Sequence, residues 1–486
     1  MSNPKRDFDV VVVGGGTAGV VAALAAGSMG AKTCLVESSG YLGGTTYALA
    51  NVVSFHNNRM ERVVGGLPQK IVDAAVVERG LAATLMTDGH LPNPGGMSGT
   101  VTLIDSARLN IAAFALLEEV GVELMMHSLA TDVSVRDGEL SEIVVTNKGG
   151  AHRVGAKCFI DASGDADLAV KSGAPYEKDA VGKGLTATMV YRVGNVDHEN
   201  LVADFRNYPE RVIMLEDPFL RREGQPTIEQ VVADKVKVVY DLPYIYLTNL
   251  VRDYIPKADW SRWGITGVEK ENWGQLKPFG SRVHMTASPL SPETLYINTT
   301  NVTHFDALDA AALSRAEMEA QRQVALSLDI LQRYVPGFGD AFLVGPMPKI
   351  SVRASCRILG EYQVTKDDVT AGRRFEDTIA RGCYPMSVQS LDKPNVRHHL
   401  YVENGGDYDV PYRALLPKEV DGLLVAGRCI SATREASGAT RTGAQCMAYG
   451  HATGVAAAMS AATGTPPRKL DVRELRETLQ SQGAIV

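Results

Sequence analysis

The stretch that decides the fold is Asp9-Val10-Val11-Val12-Val13-Gly14-Gly15-Gly16-Thr17-Ala18-Gly19. Its four consecutive valines form an apolar run suited to a strand covered on both faces. Gly14–Gly19 follows as a turn, and the Ala-rich segment Thr17–Met29 reads as a helix. Lys32–Val36 is a second buried strand, ending at Glu37. Strand, turn, helix and strand within about thirty residues make a βαβ unit. Gly14, Gly16 and Gly19 fill the three glycine places of G-x-G-x-x-G. That pattern alone is weak. Here a strand precedes it, a helix follows it and an acidic residue ends the next strand, which is the context dinucleotide binding requires. Gly14 would make the tight turn, Gly16 would admit a pyrophosphate, and Gly19 would let the helix lie on the sheet. Thr17 and Ala18 open a helix whose free N–H groups suit phosphates. Glu37, with Ser38 beside it, would accept hydrogen bonds from the hydroxyls of an adenosine ribose.

Working outward, a second glycine-rich loop follows at once: Gly40-Tyr41-Leu42-Gly43-Gly44-Thr45-Thr46. A plain NAD dehydrogenase has no need of one there. The loop reads as a phosphate or ribityl contact and favours FAD. Pro68–Arg79 reads as helical, Leu91–Gly99 as a loop and Asp105–Val120 as a helix with an acidic residue at its start. Short strands are expected at Glu123–His127, Asp132–Val135, Glu142–Thr146 and Cys158–Asp161. From about Lys183 to Thr303 the periodicity is irregular, with strands near Thr186–Val193 and Thr294–Asn298. Leu308–Tyr334 is a long amphipathic helix stopped by Pro336-Gly337. Gly422–Ala426 reads as a buried strand and Gly443–Ala462 as a helix of small residues.

The 486-residue length suggests two or three domains at roughly 150 residues each. The net charge of −7 leaves no basic excess for phosphates, so a nucleic-acid partner is not expected. The six cysteines show no C-x-x-C pair, which speaks against a disulfide scaffold, a zinc site or an iron–sulfur cluster. No metal site is expected. The glycines Gly14–Gly16 cut the apolar run from Val10 to Ala26, so it reads as strand, turn and helix rather than a secretory leader. No stretch is long enough to span a membrane. A cytoplasmic location is the expectation.

The sequence resembles the FAD-dependent oxidoreductases of the glutathione-reductase/fumarate-reductase-like superfamily, and more narrowly a bacterial FAD-dependent oxidoreductase family. Four blocks carry the resemblance: the fingerprint with Glu37 and Leu42-Gly43-Gly44-Thr45; Ile160–Asp167; Val352-Arg353 through Arg357–Tyr362; and Pro411-Tyr412-Arg413 through Leu424–Arg428. Residues from about 195 to 300 carry little of it. The resemblance implies an α/β fold, with a Rossmann-like FAD-binding domain of parallel sheet and β-meander. That domain would comprise residues 1–185 and 341–465, be interrupted by an α+β substrate or cap domain at 186–340, and be followed by a tail helix within 466–486. It further implies that Gly43, Gly44, Thr45 and Thr46 meet the cofactor. Gly164 and Asp165 would lie near the pyrophosphate or ribityl chain, Ala130 beside the adenine and Gly427-Arg428 beside the flavin. The helix from Gly443 and Ala444 would point its N-terminus at the flavin N1–C2=O edge, where a reduced flavin is negative. No counterpart of a covalent-linkage histidine stands in Gly40–Thr46, so FAD is expected to be held non-covalently. The redox C-x4-C of the glutathione-reductase branch is also missing.

Cationic and polar residues gather in the blocks expected around the flavin: Arg353, Arg357, His398, His399, Tyr412, Arg413, Arg434 and Arg441. Hydride chemistry beside a carboxylate or carbonyl needs a cation for the anion and an acid/base for the proton. Arg353, His398 and Arg441 are candidates for the first, and Tyr412 or a histidine for the second. Each arginine has the alternative of a structural ion pair, and Tyr412 that of core packing. Where the family has an acidic residue and a paired arginine near Arg353, this chain has Ala354 and Cys356. The expected function is hydride transfer between a small organic substrate and flavin N5. A flavin monooxygenase and a non-catalytic relative are the alternatives. The second electron partner, whether oxygen, a quinone or a protein carrier, the direction of electron flow and the oligomeric state stay open.

Overall fold

The computed structural model describes residues 6–49, 51–76, 88–92, 97–179, 187–207, 245–247, 283–287, 294–300, 302, 305–389 and 397–486. The valine run forms β1 (Arg6–Val13), and Val10 to Val12 are fully buried on both faces of a sheet. After the turn comes helix α1 (Thr17–Ser28), which is apolar all round and buried from Thr17 to Ala26. β2 (Thr33–Val36), β3 (Glu123–Met125), β4 (Leu129–Arg136), β5 (Glu139–Asn147), β6 (Gly150–Asp161) and β7 (Leu423–Val425) complete a seven-stranded sheet. Its order is β3-β2-β1-β6-β5-β4, and β7 also pairs with β6. β1, β2, β3, β6 and β7 pair in parallel; β4, β5 and β6 form an antiparallel meander.

β6 is the fork of this sheet. One edge pairs with β1 from Val154 to Asp161. On the other edge, β5 occupies Gly150–Gly155 and β7 occupies Phe159–Asp161. The parallel part thus ends beside Gly14 and Asp161, on the side where open α/β sheets bind ligands.

Helix α2 (Gly443–Thr463) closes the layer over α1. Two glycines permit this. A Cβ on Gly450 would stand 2.1 Å from the Ala18 carbonyl oxygen, and one on Gly454 would stand 2.3 Å from that of Ala22. A separate apolar core gathers residues of 187–350, including Tyr191, Leu295, Ile297, Leu328, Leu331 and Phe338. It lies between a sheet containing Tyr191–Gly194, Leu295–Asn298 and Phe342–Pro346 and the helix Ala310–Tyr334. Asp309 caps that helix, accepting from the Ala312 N–H at 2.6 Å.

The sequence reading needs several corrections. Leu91–Pro92, expected as loop, pairs with Thr100–Val101 in a three-stranded sheet with Asn51–Val53. Gly44, expected in a loop, starts a short helix, Gly44–Leu49. The strand expected from Thr186 is regular only over Tyr191–Gly194, because Ala187 pairs with Val302 and Thr188 with Ser351, so no single ladder forms. Val472–Ser481 form a helix. Residues 77–79 of an expected helix, Thr186 and the greater part of 208–293 lie outside the described residues.

Candidate functional site

Five backbone segments converge at the parallel end of the sheet. The first is the turn Gly14–Gly19. Gly14 has φ +104°, a conformation L side chains rarely adopt, and a Cβ there would also stand 2.4 Å from the Ala162 carbonyl oxygen. A Cβ on Gly19 would stand 1.8 Å from the Gly14 carbonyl oxygen, so α1 could not rest on its own turn. Gly16 differs: a Cβ there would meet nothing within 4 Å. It is also the N-cap of α1, and no side chain caps it. An open, uncapped helix N-terminus fits the pyrophosphate of a dinucleotide.

The second segment is the loop at Gly43-Gly44. It is stapled to the first by the Gly43 N–H, which donates to the Gly15 carbonyl at 2.9 Å. Leu42 N–H donates to Asn110 Oδ1 at 2.7 Å, so the helix Ser106–Glu119 holds the loop from outside. Thr45 is exposed and Thr46 buried. Glu37 sits beneath both loops. It accepts from Gly15 N–H at 2.6 Å, Ser39 N–H at 2.7 Å and the Ser38 hydroxyl at 3.1 Å. The buried carboxylate therefore organises the turn. Loop 126–128 is knitted to it, with Ser128 N–H donating to the Glu37 carbonyl at 2.9 Å. This loop leads to Ala130, half-buried on β4 beside a bulge.

The third segment, Ser163-Gly164-Asp165, is shaped by Asp161. This fully buried carboxylate accepts from Ser163 N–H and Oγ and from the N–H groups of Leu168 and Ala169 at 2.6–3.1 Å. Burial pushes its pKa up, and those four donors oppose the rise. The fourth segment is Gly427-Arg428. Gly427 has φ +92°, and a Cβ there would touch Ala18 at 3.4 Å. The Arg428 guanidinium donates to the Gly164 carbonyl at 2.5 Å, to Asp165 Oδ1 at 2.6 Å and to the Val352 carbonyl. Arg428 and Asp165 were both expected at the cofactor; their charged atoms bind each other.

The fifth segment is the start of α2. A Cβ on Gly443 would lie 3.3 Å from both Thr46 Oγ1 and Val52, and Ala444 is fully buried. Immediately before it, Thr440 Oγ1 and Arg441 Nε are sealed from solvent without a hydrogen-bond partner among the described residues. Burial lowers the Arg441 pKa. The groups that act on it next most strongly are Tyr384, Cys446 and Arg428. None is an anion at neutral pH, since burial lifts the Cys446 thiol to about 12 and phenols titrate near 10. The Nε of this half-buried cation can take a hydrogen-bond acceptor, such as an anionic oxygen, from a bound molecule.

The remaining candidates separate. Tyr412 is a correction. It is fully buried, its hydroxyl donates to the Pro467 carbonyl at 3.0 Å, and burial drives its pKa far up. It packs the core and is removed from acid/base duty. Arg413 forms a surface pair with Asp377 at 2.8 Å. Arg357 is buried and pairs with Asp179 at 2.8 Å. Arg353 reaches Thr188 Oγ1 at 3.3 Å. Arg434 begins the helix Arg434–Thr440. The backbone of His398 pairs with Val388, and its side chain lies outside the described residues. Sequence reasoning missed Tyr384, two residues past the strand Thr378–Gly382, which acts on Arg441 and donates to Met97 Sδ at 2.8 Å. No local pattern marks it, because its partners are remote in sequence.

Two features of the chain frame this site. No group of three or more His, Cys, Asp or Glu that could hold a metal occurs among the described residues. No helix among them is long and apolar enough to cross a membrane.

The family described as FAD dependent oxidoreductase matches residues 9–479. Among solved structures, the chain is similar to a geranylgeranyl bacteriochlorophyll reductase-like protein from Thermoplasma acidophilum. The two are 11% identical, over 99% of this chain and 84% of that one, with a TM-score of 0.47. It is similar to GidA of Aquifex aeolicus at 16% identity, over 94% of this chain and 64% of that one, with a TM-score of 0.44. Similarity to the myxobacterial chondrochloren halogenase CndH is 10% in identity, over 97% of this chain and 78% of that one, with a TM-score of 0.41. Likenesses this loose decide nothing about chemistry. The family match does decide identity: the chain belongs to the FAD-dependent oxidoreductase family, is an enzyme and uses FAD as its cofactor.

Proposed function

We propose that this enzyme moves a hydride between flavin N5 and the carbon of a small substrate that bears a carboxylate or carbonyl. The observation that carries the reading is Arg441, whose Nε is sealed from solvent with no hydrogen-bond partner among the described residues, just before the helix that would face the flavin. Bound FAD supplies a ring that takes up or gives back two electrons. In the oxidising direction the substrate loses a hydride from carbon and a proton from the attached oxygen or nitrogen; the reverse direction returns both. Arg441 would hold the substrate anion through charge-assisted hydrogen bonds, with Arg353 at the mouth. With Tyr412 in the core, the proton falls to Tyr384, the phenol that acts on Arg441. Residues 186–340 would form the cap over the site, and residues 1–185 and 341–465 the cofactor-binding part.

The test is anaerobic reduction of the FAD-loaded protein by a panel of small acids, alcohols, amines and sugars, read from loss of flavin absorbance. A carboxylate-bearing compound is expected to bleach the flavin. Arg441→Ala should slow that bleaching about 30-fold or more while FAD stays bound, the loss of about 2 kcal/mol typical of an unpaired buried anion. Unchanged kinetics in the variant would remove Arg441 from the anion site. Bleaching by NADPH alone, with no response to any carboxylate, would replace the hydride reading with oxygenation.

A further inference from the structure

Two strands cross between the cofactor core and the core of residues 187–350, and they pair with each other: Tyr176–Lys178 outward and Cys356–Ile358 on the return. This neck is tied to the cofactor core by side chains. Buried Arg357 donates to the Ala432 carbonyl at 3.1 Å and to Asp179 at 2.8 Å. Arg428 makes the second tie. Its guanidinium takes the Gly164 carbonyl and Asp165 on the cofactor side and the Val352 carbonyl on the return segment. Ser355 Oγ donates to the same Asp165 oxygen. Gly164 has φ +81°, and a Cβ there would stand 3.0 Å from Arg428 Nε, so turn and guanidinium are packed face to face. Val352 immediately precedes Arg353, whose guanidinium reaches Thr188, itself paired with Ser351 just before Tyr191–Gly194.

We propose that Arg428 is a positioning residue, a clip that fixes the return segment at Val352–Ser355 to the cofactor turn at Gly164-Asp165 and so holds Arg353 at the mouth of the site. This goes beyond the substrate reading and does not depend on it. Three acceptors at three directions suit a planar guanidinium with fixed N–H vectors; an ammonium cannot serve them together. A residue that merely offered charge to a cofactor phosphate would instead be served nearly as well by lysine.

That difference gives the test. Wild type, Arg428→Ala and Arg428→Lys are loaded with FAD, and amide hydrogen exchange is followed by mass spectrometry together with FAD affinity by fluorescence. The clip predicts that exchange over 351–355 and 163–166 rises together, by about tenfold, in both variants. Lysine does not rescue. Asp165→Asn should raise exchange in the same two segments by a smaller factor, because the amide oxygen still accepts from Arg428 and only the carboxylate's charge is lost. The proposal is overturned if exchange over 351–355 stays native in Arg428→Ala. It is equally overturned if Arg428→Lys restores both exchange and FAD affinity to wild type, which would make Arg428 a simple charge at the cofactor.

Discussion

The fingerprint turn and the neck stand side by side and are built in opposite ways. At the turn, Gly14 and Gly19 act by having no side chain, and α1 starts at Gly16 with no side-chain cap on its N–H groups. At the neck, Arg357 and Arg428 act only through their side chains, across 178 and 264 positions of chain. The comparison teaches that the turn tolerates no added atom at Gly14 or Gly19, whereas the neck tolerates no lost one. Steric exclusion protects the first, and charge left without a partner protects the second.

Three experiments can break or sharpen that contrast. The largest effect belongs to Gly19→Ala. A single methyl placed 1.8 Å from the Gly14 oxygen forces α1 off its turn, and we expect a protein that cannot be reconstituted with FAD. Normal flavin absorbance after reconstitution, at unchanged melting temperature, would end the claim that the turn is sterically closed. Next comes Arg357→Ala. Asp179 would be left buried without its cation, at a cost of about 3–5 kcal/mol in chemical denaturation. A cost below about 1 kcal/mol would show the neck to be as forgiving as a surface pair.

The smallest effect concerns a third style of construction, a buried neutral network. His90 stacks on Phe55 with ring centroids 4.2 Å apart. It shares hydrogens with Thr102 at 2.6 Å and Gln69 at 2.8 Å. Burial lowers its pKa to about 3, with His56 and Arg62 adding to the effect. The folded pKa lies below the unfolded value of 6.5, so the unfolded chain binds the extra proton as pH falls between them. His90 should therefore contribute a stability loss of about 1.4 kcal/mol per pH unit once pH drops well below 6.5, levelling near pH 3. His90→Gln should flatten this slope in denaturation curves measured from pH 7 to 4. An identical slope in wild type and variant would mean that His90 charges without consequence.

The same contrast explains what could be read from the chain alone. Glycine spacing, the valine strand, the Asp105 cap and the long helix ending at Tyr334 are local, and their periods appear in consecutive residues. They yielded the sheet, both glycine loops and the helix that reaches Gly443. The neck ties were illegible because nothing near Arg428 names Val352 or Asp165 as its partner. Tyr412 misled for a related reason: a tyrosine beside arginines looks functional until Pro467 is seen to take its hydroxyl. The three-stranded sheet was hidden because Leu91–Pro92 carries a proline that argues against a strand, yet an edge position accommodates it.

The fork in β6 also bears on how the chain is made. Its Phe159–Asp161 edge is completed only by β7, about 260 residues later, and α1 meets its crossing partners Gly450 and Gly454 later still. At about 5–20 residues per second, a ribosome leaves that edge open for roughly 13–50 seconds. Throughout that interval β6 presents unpaired N–H and C=O groups beside an all-apolar helix. Such an edge is a ready template for other strands until the segment from Leu423 emerges and covers it.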